Sequence, residues 1–299
     1  MLEVTMTRKE FLLLSAAGSA ALANAQQTNI RPRTPADDGF TDTPMEPGMP
    51  WHVHDPNRPH PKQITPASTL GGPPSDAIVL FDGKDLSKWY HRGRGANAGK
   101  QVDAGWKVGD GYFEIQRGFG DLLTREKFGD VQLHVEWSSP TVINANSQGR
   151  GNSGVLLMTL FEMQVLDMWD NPTYADGGAG SIYGQWPPLV APWKKPGEWN
   201  TYDIVFEAPQ CNGDQLVKPA FFTLFYNGVM VHNRKQSMGP MIYRQVATYK
   251  PPYPAEDSLM LQDHNSNPVR YRNIWIRRLG GYDLPEKQAL RRAAEPFNG

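Results

Sequence analysis

The chain has 299 residues, with 30 Lys and Arg against 31 Asp and Glu, a net charge of -1. That balance argues against nucleic acid as a partner, which calls for a basic excess or stripe, while 39% apolar and 11% aromatic residues supply a packed core. The 29 glycines and 26 prolines disfavour an all-α bundle, and the single cysteine, Cys211, excludes an intrachain disulfide or a cysteine metal cluster.

The N-terminus predicts an export signal over residues 1–25. Arg8 and Lys9 precede an apolar run from Phe11 to Leu22, and Ala23-Asn24-Ala25 fits a small-x-small cleavage site. The run is too short to span a bilayer. Thr7-Arg8-Lys9-Glu10-Phe11-Leu12 is similar to a twin-arginine signal with Lys9 in the second arginine position, so export by that route or by general secretion stays open. The pattern begins at Met6, an alternative start. No cysteine follows the cleavage site to carry a lipid, and no other run approaches membrane length. The expectation is a periplasmic or secreted protein with no integral membrane segment.

Residues 26–75 hold 11 prolines in 50 positions, which rules out regular helix or central strand and predicts an extended arm or linker. Trp51, Val53 and Ile64 favour partial docking of it. Within it, His52, His54, Asp55 and His60 have the side chains of a metal site, against the simpler reading of a polar docking segment.

From Asp76 the apolar period is mostly two. Val131 to Trp137 and Phe161 to Val165 alternate with polar residues, Tyr202, Ile204 and Phe206 with Thr201, Asp203 and Glu207, and Ile274 and Ile276 with Asn273, Trp275 and Arg277. Phe222, Leu224 and Tyr226 run into Asn227-Gly228, a strong hairpin signal, followed by Val229-Met230-Val231. Shorter strands are predicted at 77–81, 104–108, 112–116, 154–159 and 258–262. Strands at this spacing, broken by Gly, Pro and Asn, indicate an all-β antiparallel sandwich or jelly roll over residues 76–280. Pro285-Glu286 opens the one convincing helical pattern, 285–294, within a tail of residues 281–299.

In a sandwich one face of each sheet is packed and the other is wet. Polar residues inside strands are therefore informative. Glu162 and Gln164 share one strand face, with Asp167 just beyond; His134 and Glu136 pair likewise. Near the C-terminus stand Gln262, Asp263, His264, Arg270 and Arg272, and Tyr183, Trp186, Trp193 and Trp199 add aromatic surface. Carboxylates, amides and arginines beside exposed rings suit a sugar, whose hydroxyls bond planar groups while its apolar face stacks. Gly149-Arg150-Gly151-Asn152-Ser153-Gly154 matches the dinucleotide-binding glycine pattern, but a strand rather than a helix follows, so it reads as a turn.

Leu80-Phe81-Asp82-Gly83-Lys84-Asp85-Leu86 with Trp89, then Asn152-Ser153-Gly154-Val155, then Phe161 to Asp167, resemble the 3-keto-disaccharide hydrolase domain family. So do Ile182-Tyr183-Gly184, Gly197 to Asp203, Leu261 to His264 and Pro268 to Ile274. The resemblance covers about residues 76–279. It departs from the family in the loops 91–103, 168–196 and 234–257, the rims of a site. It implies a concanavalin-like jelly roll acting on a glycoside already oxidised at C3, and hence a sugar-3-oxidising dehydrogenase upstream. A C3 ketone acidifies the C2 proton, so elimination of the C1 substituent and hydration can replace direct hydrolysis. Glu162 is the expected base with Asp167 second, and His264 the acid or a metal ligand. Asn152, Gln164, Tyr183, Glu136, Gln262, Asp263, Arg270 and Arg272 are expected at the sugar. His264, Asp263 and Glu162 are the candidate ligands of a divalent ion. The alternative is a non-catalytic carbohydrate-binding module.

Overall fold

A computed structural model describes residues 37–280. The expected export signal and the helix at 285–294 lie outside the described residues. The described chain falls into two units, residues 37–60 and residues 61–280.

The first unit is a tight turn held by its own backbone. Phe40 N–H donates to His54 C=O, Glu46 N–H to Trp51 C=O and Val53 N–H to Pro44 C=O, each at 2.9 Å. His52 and Asp55 are engaged locally: the His52 ring bonds the Thr43 carbonyl, and the Asp55 carboxylate accepts the N–H groups of His52 and Asn57. Among the described residues no three His, Cys, Asp or Glu side chains are placed to hold a metal ion.

The second unit is a sandwich of two antiparallel sheets. One sheet runs in the order β14 (Val229–Gln236), β13 (Phe221–Tyr226), β10 (Asn200–Glu207), β7 (Val131–Ser138), β16 (Arg270–Arg278), β5 (Tyr112–Glu114) and β4 (Lys107–Gly109), and β1 (Ile78–Phe81) also pairs with β16. The other runs β3 (Gln101–Asp103), β2 (Trp89–Arg92), β6 (Leu122–Phe128), β15 (Asp257–Leu261), β8 (Ser153–Leu157) and β9 (Phe161–Val165). β11 (Gln210–Asn212) and β12 (Gln215–Lys218) form a small ribbon. Helical structure among the described residues is limited to short 3-10 turns, and no described helix is long and apolar enough to cross a membrane.

Alternation explains the layers. In β10 every second side chain, Tyr202, Ile204 and Phe206, is buried between the sheets, and the others are half-exposed. Phe81, Phe113, Tyr271, Trp137, Tyr226, Phe161 and Phe222 join them, each worth about 1.5–3 kcal/mol on burial. Two of the buried polar tips find partners inside the core: Trp89 Nε1 donates to Leu80 C=O at 2.8 Å, and Ser153 Oγ lies 2.6 Å from the Tyr271 hydroxyl, whereas Trp137 Nε1 and Trp106 Nε1 are buried without one. Asn227 and Gly228 both take positive φ, as the tight hairpin between β13 and β14 requires. The proline-rich stretch 61–75 crosses the outside of the larger sheet, where Gly71 C=O accepts from Asn273 Nδ2 and Trp275 Nε1.

Candidate functional site

β9 departs from simple alternation. Phe161, Met163 and Val165 enter the core, yet Glu162 and Gln164 on the opposite face are also buried, at 3% and 1% exposure. The cause is a roof. After Asp167 the chain returns along the free edge of β9, with Tyr183 N–H donating to Glu162 C=O at 3.1 Å and Gln164 N–H to Ser181 C=O at 3.0 Å. This added pairing covers the edge strand and sets Tyr183 beside Glu162. Gly154, the outward position of β8 next to Glu162, keeps the space open: a Cβ there would lie 2.4 Å from Glu162 Oε1.

Beneath the roof is a cavity of about 470 Å³, a usual size for a small-molecule site. Asn152, Glu162, Gln164, Tyr183, Gln262 and His264 line it, all expected at a site from the sequence. Gln148, Tyr174, Met241, Tyr243 and Asn265 line it too, and no sequence pattern pointed to them. They come from loops without periodicity, so only the folded arrangement reveals them. The turn after β15 presents His264: Asp263 N–H donates to Asp121 Oδ1 at 2.9 Å, Ser266 N–H to Asp263 Oδ1 at 2.8 Å, and Asn267 Nδ2 to His264 C=O at 2.7 Å.

The electrostatics of the cavity favour neutral groups. The Glu162 carboxyl receives no hydrogen bond from a described residue; burial, and then the Asp121 carboxylate, push it up to about 8. Burial also raises Asp121 and draws His264 below its ordinary value. Tyr183 is raised by burial and by the Tyr174 hydroxyl 3.0 Å away, so its phenol stays protonated. At neutral pH the free cavity therefore holds an uncharged acid, an uncharged imidazole and a phenol, a set able to move one proton when a ligand excludes water.

The remaining expected residues lie elsewhere. Asp167 forms a buried ion pair with Arg150, Nε to Oδ2 at 2.7 Å, and accepts Trp169 N–H; it lines a separate cavity of about 240 Å³ instead of joining Glu162. Arg270 lines that second cavity and pairs with Glu114 at 2.7 Å. Glu136 and Arg272 sit on the outer face of the larger sheet, bonded to each other at 2.6 Å, with Asn273 and His134. Asp263 is occupied in its own turn, so the candidate metal ligands His264, Asp263 and Glu162 form no cluster of three. The tryptophans are also absent from the cavity lining. Lys235 covers Trp186, Arg272 covers Trp199, and Trp193 packs on the core. Tyrosines supply the aromatic surface of the cavity.

A family described as the 3-keto-alpha-glucoside-1,2-lyase-like domain matches residues 76–277. A crystal structure from Parabacteroides distasonis, provisionally assigned as a glycosyl hydrolase, is 40% identical; the match covers 79% of this chain and 100% of that one, with a TM-score of 0.69. A second protein of that organism, with the same provisional assignment, is 18% identical over 73% of this chain and 100% of its own, with a TM-score of 0.49. No curated protein matches.

Proposed function

The chain belongs to the 3-keto-alpha-glucoside-1,2-lyase-like domain family and is a carbohydrate-active enzyme; from that premise we propose that it cleaves 3-keto-glycosides, with Glu162 as the base. The observation that carries this reading is a lone, buried carboxyl facing a sugar-sized cavity. Glu162 is the one carboxyl group among the described lining residues. Ordinary glycoside hydrolysis uses two, about 5–5.5 or 6.5–9.5 Å apart. Removal of an acidified C–H proton needs one, with a pKa drawn towards the working pH.

In the proposed sequence the Glu162 carboxylate takes the C2 proton, and the C–H electrons form an enolate with its charge on the C3 oxygen. The Tyr183 hydroxyl or the His264 N–H donates to that oxygen. Collapse of the enolate restores the ketone, forms C1=C2 and expels the C1 oxygen, which takes the proton held by Glu162. Water then adds at C1 and a proton at C2. Asn152, Gln164 and Gln262 hold the sugar. An enzyme that oxidises the C3 hydroxyl must supply the substrate. Residues 8–25 support work after export, in the periplasm or outside the cell.

Incubation with a 3-keto-disaccharide tests the assignment. The wild type should release free monosaccharide, and Glu162→Gln should lose about 10²–10⁴-fold in rate while still binding. Release of sugar from the unoxidised disaccharide at an equal rate, or full activity in Glu162→Gln, would overturn it. Binding without turnover of any oxidised sugar would point to a carbohydrate-binding module.

A further inference from the structure

Gln148 takes no part in the chemistry above, yet both amides of the cavity floor are tied to it. It sits in the 3-10 turn Ser147–Gly149. Its backbone carbonyl accepts Asn152 Nδ2 at 2.6 Å, and its Oε1 accepts Gln164 Nε2 at 3.2 Å. Gly177 C=O accepts from both Gln164 Nε2, at 3.2 Å, and Gln148 Nε2, at 2.9 Å. Gln148 Nε2 also donates to Thr173 Oγ1 at 2.9 Å. Backbone carbonyls only accept, so these bonds fix which end of each amide carries nitrogen. The NH₂ groups of Gln148, Asn152 and Gln164 are all turned onto the protein. What is left is Asn152 Oδ1 and Gln164 Oε1, buried and without partners, on side chains that line the cavity. Buried acceptors without donors are costly unless something arrives to supply the donor.

We propose that Gln148 is a positioning residue that turns the cavity floor into a pair of acceptors, so that the sugar is held through two hydroxyl donors and its ketone lies away from Asn152 and Gln164. This rests on the reading of the cavity as a 3-keto-sugar site. A ketone or carboxylate against the pair would set oxygen against oxygen. No Lys or Arg is among the described lining residues to offset such a contact, so uronic acids are disfavoured at this floor.

Fluorine in place of a hydroxyl keeps the bulk and removes the donor. The test is calorimetric binding at pH 6 to Glu162→Gln protein, whose amide copies the neutral acid and whose turnover is blocked. The ligands are methyl 3-keto-glucoside and its 2-, 4- and 6-deoxyfluoro analogues. Two of the three analogues should bind about ten- to a hundredfold more weakly than the parent sugar. Adding Gln148→Ala, which keeps the backbone carbonyl that holds Asn152 but removes the Oε1 that holds Gln164, should weaken the parent sugar about tenfold and bring the hydroxyl-to-fluorine ratio towards one at one of those two positions, the one held by Gln164. Gln148→Met, which fills the same space without an amide, should do the same if the alanine variant fails to fold. A purely structural Gln148 would weaken all four ligands together and leave the ratios unchanged. Unchanged ratios, or three analogues that bind as well as the parent sugar, would overturn the proposal alone. Absence of binding by the parent sugar would overturn this proposal and the function it rests on together.

Discussion

At Gly154 a missing side chain gives the Glu162 carboxyl its place, since a Cβ would stand 2.4 Å from Oε1. Gly154→Ala should therefore displace the carboxyl and cut kcat by about tenfold or more, while overpacking costs about 1–3 kcal/mol of stability; steady-state kinetics and denaturant unfolding read the two effects separately. Glu162 itself sets activity against stability. Its carboxyl is raised from 4.5 to about 8 on folding, so its favourable contribution is complete below about pH 4.5 and is lost as the pH rises to about 8. Over the same rise the carboxylate base appears. In the wild type kcat/KM should climb about tenfold per pH unit until it levels near pH 8. Glu162→Gln should match the wild type in stability at pH 5 and exceed it at pH 9 by on the order of 3 kcal/mol, measured by urea unfolding at each pH. Equal pH slopes for the two proteins would contradict this account of Glu162.

Among the elements, the β13–β14 hairpin shows how one turn fixes several neighbours. Asn227 takes positive φ, its Oδ1 accepts Thr201 N–H at 2.8 Å, and its Nδ2 donates to Pro192 C=O at 2.7 Å and Asn200 Oδ1 at 2.9 Å. Asn227→Ala should cost about 1–3 kcal/mol in thermal or denaturant unfolding, through lost hydrogen bonds and a residue less suited to that backbone. The sequence made this hairpin plain, as it did β7, β9, β10 and β16, because each alternates over five or more residues or meets a strong turn signal. β2, β3, β6, β11 and β12 escaped it. Four of them are only three or four residues long, and Leu122-Leu123-Thr124 in β6 puts apolar side chains on both faces, which breaks the period of two. The same limit explains the site. Glu162 and Gln164 stand out as polar residues in a strand, but the alternation implies a wet face. The roof that buries them is the irregular segment after Asp167, in which only Ile182-Tyr183-Gly184 stood out in the sequence, and Tyr174 and Tyr243, which also line the cavity, belong to no pattern. Asp167, the second candidate base, and Arg270, Glu136 and Arg272, expected at the sugar, are instead engaged in ion pairs.

Across the whole molecule the outer face of the larger sheet carries a second pH-sensitive group. Burial would lower the His134 imidazole, but Asp203 at 2.6 Å and Glu136 at 3.6 Å outweigh it and lift it to about 9; the ring also stacks on Trp275. A histidine raised on folding contributes fully below about pH 6.5, and the contribution is lost as the pH climbs to about 9. Stability should thus fall through the neutral-to-alkaline range even in Glu162→Gln, and more shallowly when His134→Gln is added, by unfolding midpoints between pH 6 and 9.5. Burial raises the Glu136 carboxyl, yet its partners His134, Asn273 and Arg272 prevail and bring it to about 2. Its contribution is lost below about pH 4.5, so with Glu162 losing its own above that value the wild type should be most stable near pH 4.5, and Glu162→Gln between about pH 4.5 and 6.5. Activity asks for a higher pH than this, because Glu162 must lose its proton. Whether the resulting carboxylate then takes a proton from C2 is the centre of the account, and turnover of a 3-keto-glucoside in D₂O tests it most directly. Elimination followed by hydration predicts one solvent deuterium at C2 of the released 3-keto-sugar, above an enzyme-free control, with no such label made by Glu162→Gln. Rapid release of sugar that keeps its original C2 hydrogen would contradict it.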